Sequence, residues 1–239
     1  MNHHKKKNLT ILLLLILFFL IINYNTFDNS LKNFLISQSK QTAFVERVID
    51  GDTVVSNGTS IRLLGINTPE RGEFLYEEAK TFLEDLILNK QVTLEFVGKR
   101  QDKYFRTLAY IQSGNENINV KMIENGFANP YFYSGKDKYS QSIEKAWEAC
   151  ITKKINLCQP SQHPCSSCIN INPNLITNTC NFACDIDDWT IKGEGRAKFV
   201  FNGTLYIRES REFDLDLTNS EGNLYLRDEE GGLIEYGKI

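Results

Sequence analysis

The chain of 239 residues has almost no net charge: 27 Lys and Arg stand against 30 Asp and Glu, which leaves −3 with its three His neutral. A protein that coats nucleic acid by bulk attraction is basic overall, so that class is excluded and any recognition of phosphate must be local. Cysteine is missing from the first 149 residues, so disulfides or thiolate metal sites belong to the remainder. There is no repeat and no low-complexity tract. The 41% apolar and 24% charged content is that of an ordinary globular protein, and the length allows one large or two small domains. A small-x-small cleavage motif is also missing. Lys5, Lys6 and Lys7 precede an almost unbroken apolar run from Leu9 to Ile22, which passes directly into Asn23-Tyr24-Asn25-Thr26-Phe27. That run is short for a spanning helix and suits a signal-peptide core or an uncleaved anchor with its basic end inside. Residues 1–40 are therefore read as a signal peptide or membrane anchor with its linker. The rest is expected outside the cell, anchored or secreted.

The charge that is present is unevenly spread. Residues 1–40 hold five Lys and one Asp, residues 41–158 hold 15 basic and 16 acidic residues, and residues 159–239 hold seven and 13. All six cysteines (Cys150, Cys158, Cys165, Cys168, Cys180 and Cys184) follow that first stretch. In an exported chain an even number favours disulfides. Cys165, Cys168, Cys180 and Cys184 also have the spacing of a structural zinc site, the less favoured reading.

From Thr42 onward the apolar residues alternate as in strands. Phe44, Val45, Val48 and Ile49 lead into the turn Asp50-Gly51-Asp52. Thr53-Val54-Val55 and Ile61-Arg62-Leu63-Leu64 flank the hairpin signal Asn57-Gly58. Phe74, Leu75, Ala79, Phe82, Leu83, Leu86 and Ile87 recur at helical spacing, with Glu73, Glu77 and Glu78 near the start, where the dipole favours acids. Strands are expected over 92–97 and 107–111, and helices over 120–126 and 140–154. Five strands with a helix between the third and fourth predict an α+β protein: a five-stranded OB-type β-barrel with three helices over 41–158. Past a boundary near Gln159-Pro160, short strands around Trp189-Thr190-Ile191, 198–201, 204–207 and 223–226, separated by turn signals, predict a small all-β immunoglobulin-like sandwich over 159–239.

Phosphodiester hydrolysis needs a cation to offset developing charge and an activated water. Asp52, the Asn67 side chain and the Thr68 carbonyl offer the oxygen mixture that suits Ca²⁺. Glu70 can act on water, and Arg62 and Arg106 can hold a phosphate through planar paired donors. Each residue also has an ordinary role. Asp50 and Asp52 suit a turn, Glu70 suits a helix start, and either arginine suits a surface pair. Their occurrence together in one β-rich segment favours the chemistry.

Three ordered blocks carry a resemblance: Ile49-Asp50-Gly51-Asp52-Thr53-Val54, Arg62-Leu63-Leu64-Gly65-Ile66-Asn67-Thr68-Pro69-Glu70, and Asp102-Lys103-Tyr104-Phe105-Arg106-Thr107-Leu108-Ala109-Tyr110. With Glu124-Asn125-Gly126-Phe127-Ala128, they make residues 42–158 similar to the staphylococcal (micrococcal) nuclease, or thermonuclease, family. The resemblance implies an OB-fold, Ca²⁺ dependence, and cleavage of DNA and RNA to 3′-phosphate ends. It also implies Asp52 and Thr68 as calcium ligands, Glu70 as general base, and Arg62 and Arg106 as the phosphate-binding arginines. Lys103, Tyr104, Tyr131 and Tyr133 correspond to residues around the terminal nucleotide. Two positions depart from the family: Asn67 stands where Asp is usual, which should weaken calcium binding, and Phe105 stands where Gly is usual. A positive-φ turn would strain Phe105 and displace Arg106.

The stretch from Cys180 to Lys192, with Trp189-Thr190-Ile191, and that from Asn219 to Asp228 resemble parts of lamin-tail domains, which implies a targeting or adhesive role. The expected protein is thus an exported, monomeric, calcium-dependent nuclease of DNA or RNA, in contact with a membrane through its N-terminal segment and with an unknown partner through its tail. The alternatives are an OB-type module that binds nucleic acid without turnover, and a surface adhesion protein.

Overall fold

A computed structural model describes residues 39–132, 135–172, 174–193, 197–215 and 223–238, with scattered positions between 12 and 28. Contacts divide the chain into two compact units, Met1–Gln41 and Thr42–Ile239. In the first, positions 12, 13, 15 and 17–21 are helical, but most of the expected targeting segment lies outside the described residues. No helix among the described residues is long and apolar enough to cross a membrane.

The boundary falls within β1 (Lys40–Phe44), and β2 (Arg47–Asp50), β3 (Thr53–Ser56), β4 (Thr59–Leu63) and β5 (Ile66–Asn67) follow. Helix α1 (Tyr76–Ile87) follows, then β6 (Gln91–Glu95), β7 (Thr107–Ser113), β8 (Glu116–Asn117), α2 (Ile118–Glu124), β9 (Asn129–Pro130) and α3 (Ser140–Lys153). One seven-stranded sheet runs β1-β6-β7-β4-β3-β2, with β8 on β7. The Asn57-Gly58 signal forms the expected hairpin, with both residues at positive φ (47° and 68°) and Ser56 opposite Thr59. Helix α1 buries Ala79, Leu83 and Ile87 of the expected stripe, and Tyr76 as well. The three expected helices are present, and the architecture is OB-type with added helices.

The barrel expected from the sequence does not close. The outer strands of the order, β1 and β2, are consecutive in the chain. Between them Val45 N–H donates to Lys90 O (3.0 Å) and Glu46 N–H to Val55 O (2.9 Å), so the backbone switches neighbours within two residues. The two edge strands are therefore joined end to end by the chain and are not hydrogen-bonded side by side.

Residues beyond 159 form small sheets: β10 (Ile169–Asn172), β11 (Leu175–Asn178) and β16 (Ser210–Glu212) in one; β12 (Cys184–Asp185) with β15 (Thr204–Leu205); and β14 (Lys198–Val200), β13 (Thr190–Lys192), β17 (Asn223–Arg227) and β18 (Leu233–Lys238) in order in another. They share a core built on Trp189, Ile191, Phe201, Leu224 and Leu226. All six cysteines are in disulfides, Cys150–Cys158, Cys165–Cys184 and Cys168–Cys180. The zinc reading is therefore set aside, because the four thiols that would ligate the metal are consumed pairwise.

The larger core contains two residues of this region, Tyr225 and Leu233. The Trp147 ring on α3 meets Tyr225 and Tyr236 edge-on, at centroid distances of 5.4 and 5.7 Å.

Candidate active site

Asp52 follows the turn between β2 and β3. That turn lies against the segment after β5: a Cβ on Gly51 would stand 2.9 Å from Thr68 Cβ and 3.0 Å from Ala79 Cβ, so only glycine lets the two approach. Asp52 Oδ2 consequently accepts both the Thr68 N–H and the Thr68 hydroxyl, each at 3.1 Å. Arg62, on β4 opposite Thr53, reaches the same oxygen with Nη2 at 3.0 Å. Arg62 also donates to the Leu63 carbonyl (2.6 Å), the Ile66 carbonyl (2.9 Å) and Asn67 Oδ1 (3.2 Å). Asp52, Arg62, Asn67 and Thr68 are all buried. A buried charge is costly unless paired, and here the guanidinium is fixed by two carbonyls, an amide and a carboxylate. Glu70, half-buried, stands two residues past Thr68 in the turn before α1.

Asp50 belongs to this group, although its sequence context suggested only a turn. Its Oδ1 accepts the Asp52 N–H at 3.1 Å. Burial, with the Asp52 charge behind it, pushes its carboxyl up to about 6. The i, i+2 spacing with Asp52 was the available signal. A half-buried carboxyl beside the buried Asp52 carboxylate is a configuration that a cation would relieve.

Arg106 sits where the loop enters β7. Its Nε donates to Asp102 Oδ2 at 2.6 Å, and Asp102 Oδ1 accepts the Tyr104 and Arg106 N–H groups at 2.8 and 3.0 Å. Burial favours the neutral form of Asp102, but the Arg106 and Tyr104 hydrogen bonds outweigh it and hold the carboxyl below the usual range. The parallel pairing of β4 and β7, Ile61 opposite Thr107, puts the start of this strand beside the strand carrying Arg62. Phe105 keeps the left-handed turn at φ 62° in spite of its side chain, and is 80% exposed. The expected strain is present, and the loop is closed by Asp102. Tyr104 is exposed, with Lys103 Nζ at 5.1 Å and Arg106 Cζ at 5.6 Å from its ring centre. Tyr131 is half-buried, with its N–H on Gly65 O at 2.9 Å; Tyr133 lies outside the described residues.

Residues 60–159 match the family profile described as "Staphylococcal nuclease homologue". The chain is 34% identical over 148 residues to the Thermonuclease of Staphylococcus intermedius, covering 58% of this chain and 88% of that protein. It is 33% identical over 149 residues to the Thermonuclease of Staphylococcus hyicus, with the same coverage of 58% and 88%. The Micrococcal nuclease of Shigella flexneri is 34% identical over 118 residues, 44% of this chain and 67% of that protein. An OB-type sheet with buried carboxylate and arginine at its strand ends, joined to these similarities, defines an endonuclease, a hydrolase of phosphodiester bonds. The chain belongs to the staphylococcal nuclease family.

Proposed function

We propose that this protein is an exported, monomeric, calcium-dependent nuclease that cleaves DNA and RNA and leaves 3′-phosphate ends. The observation that carries the reading is the meeting of Asp52, Arg62, Asn67 and Thr68 in one hydrogen-bonded cluster, two residues from Glu70. The donor set fits calcium. The Asp52 carboxylate, the Asn67 amide oxygen and the Thr68 carbonyl are hard oxygen ligands, and the Asp50 carboxyl beside them favours added positive charge. When bound, the ion would offset negative charge on the scissile phosphate.

The protein's own groups account for the rest. Glu70 takes a proton from the attacking water. The water oxygen bonds to phosphorus, the bond to the 5′ oxygen breaks, and that oxygen leaves with the bonding pair and takes a proton from solvent to become a hydroxyl, so the phosphate stays on the 3′ side. Arg62, already oriented by the Leu63 and Ile66 carbonyls, and Arg106 donate to the phosphate oxygens as charge grows on them. Lys103, Tyr104, Tyr131 and Tyr133 would line the terminal nucleotide, where exposed Tyr104 offers a face for a base.

Residues 41–158 would form the catalytic domain and 159–239 a lamin-tail-like adhesive domain for an unidentified partner. Export is supported by the basic-apolar N-terminal sequence and by three disulfides, which persist in oxidising compartments. The test is cleavage of single-stranded DNA by the full chain with millimolar calcium and with chelator. Cleavage should need calcium, and Glu70→Gln should lose about 10²- to 10⁴-fold in rate while still binding DNA. Absence of cleavage with calcium, at equal binding by both proteins, would leave a nucleic-acid-binding module instead.

A further inference from the structure

Glu73 lies three residues after Glu70 and joins the nuclease sheet region to the C-terminal β region. Its Oε2 accepts the Glu70 N–H at 2.8 Å and Lys192 Nζ at 2.8 Å, and its Oε1 faces Lys198 Nζ at 3.2 Å. The Lys192 and Glu73 side chains are only 13% and 18% exposed, so water and salt screen this pair less than an ordinary surface pair. Burial alone would raise the Glu73 carboxyl; Lys192, the Glu70 N–H and Lys198 together outweigh it and hold the group below its usual range.

The turn from Glu70 to α1 has little local support. Leu75, the residue before α1, is at φ 65° and makes no side-chain cap. A left-handed leucine is strained by its own Cβ, so something outside the turn must hold it. Gly231 abuts Phe74 in the same turn: it is at φ 86°, and a Cβ there would stand 2.5 Å from the Phe74 ring. On the other side of the site, Arg227 Nη2 donates to Asn129 Oδ1 at 3.3 Å, and Asn129 pairs with Asn67 between β9 and β5. The C-terminal region therefore touches the turn after the site segment directly and reaches Asn67 through Asn129.

We propose that the C-terminal β region is part of the working active site, because Lys192 and Lys198 lock Glu73 and Glu73 in turn fixes the Glu70 backbone. This rests on the reading of Glu70 as the general base. Glu73, Lys192 and Lys198 are positioning residues: they touch Glu70 or one another, not the substrate. An added domain thereby becomes necessary for turnover, in addition to any role in adhesion. Its Lys192 acts from 119 residues away in sequence.

The experiment measures kcat and KM of the full chain on single-stranded DNA with calcium for wild type, Lys192→Met, Lys192→Arg, Lys198→Gln and Glu70→Gln. Amide hydrogen exchange over 69–76 and 107–113 is followed alongside. Lys192→Met should lower kcat about tenfold or more, the scale expected when a reacting group is slightly misplaced, with KM within about twofold. Exchange should rise over 69–76 and stay unchanged over 107–113. Lys192→Arg should recover most of the rate, and Lys198→Gln should lose less than Lys192→Met. Wild-type kcat in Lys192→Met overturns the proposal, and so does loss of protection throughout β7, which would mean general unfolding. Full activity in Glu70→Gln refutes the general-base reading itself. Loss there with an intact Lys192→Met refutes only the positioning role.

Discussion

At Asn67 an amide stands where a carboxylate would carry one more negative charge. Its Oδ1 already accepts a donor of Arg62, so the oxygen points into the cluster that Asp52 and Thr68 share. Replacing it as Asn67→Asp adds charge without adding bulk, and ligand charge tunes calcium affinity. The calcium concentration for half-maximal cleavage should fall several-fold in Asn67→Asp, and isothermal titration should show tighter binding. An unchanged or higher requirement would remove Asn67 from the ligand set. Phe105 is the second departure, at φ 62° and 80% exposed. A left-handed Phe costs ~1–2 kcal/mol, and the unfolded-state entropy of glycine gives back part of that gain. Phe105→Gly should therefore raise the urea midpoint by the equivalent of roughly 0.5–1 kcal/mol; a lower midpoint would mean that the exposed ring makes a stabilising contact. The candidate residues Asp52, Arg62, Asn67, Thr68 and Glu70 were readable as one group along the chain because they lie within 19 residues of one another. Glu73 was not. Its position before α1 suggested a dipole-balancing acid, a role that Glu77 and Glu78 fill in the first turn, and its real partner, Lys192, is remote in sequence.

Among the elements, the tight turn between β2 and β3 matters most to the site. It brings Asp52 under Thr68 only because Gly51 has no side chain. Gly51→Ala would force contacts of 2.9–3.0 Å onto Thr68 and Ala79, and overpacking of this kind costs ~1–3 kcal/mol. We expect Gly51→Ala to lower both thermal stability and calcium affinity, since moving the turn also moves Asp52. Lower stability with unchanged calcium affinity would show that the turn and the ligand are uncoupled. The strands around this turn were legible because alternation and the Asn57-Gly58 pair are local signals. The switch at Val45 and Glu46 was not: nothing in Phe44-Val45-Glu46-Arg47 marks where one continuous apolar segment divides between two neighbours, a choice set by Lys90 and Val55. The expected strand over 204–207 shortens to Thr204–Leu205, because its partner Cys184–Asp185 is only two residues long and a turn closed by Glu209 N–H on Tyr206 O follows.

For the whole molecule, the question is what the ion pair across the unit contributes and when. Two apolar cores are joined through Tyr225, Leu233 and the Trp147 aromatic contacts, while the disulfides Cys165–Cys184 and Cys168–Cys180 staple the smaller one. The Glu73–Lys192 pair adds a contact whose strength depends on pH. Glu73 titrates below its ordinary value of 4.5 in the folded protein. Between that folded pKa and 4.5 the unfolded chain binds more protons at this group than the folded one, so stability rises with pH. The contribution of the pair is thus complete above the ordinary glutamate range and is lost as pH falls through the folded pKa of Glu73. In Lys192→Met the carboxylate keeps the Glu70 N–H and the Lys198 charge but loses its main ion partner, and the variant should be less stable than wild type by ~1 kcal/mol at neutral pH. That gap should close on acidification, because a protonated Glu73 gives Lys192 nothing to hold. Urea unfolding of both proteins at neutral pH and at successively lower values measures it directly, since the other carboxylates titrate alike in the two and cancel. A gap that persists unchanged once Glu73 is protonated would mean that Lys192 stabilises the unit through packing of its methylene chain, and the electrostatic lock on the Glu70 turn would have to be abandoned.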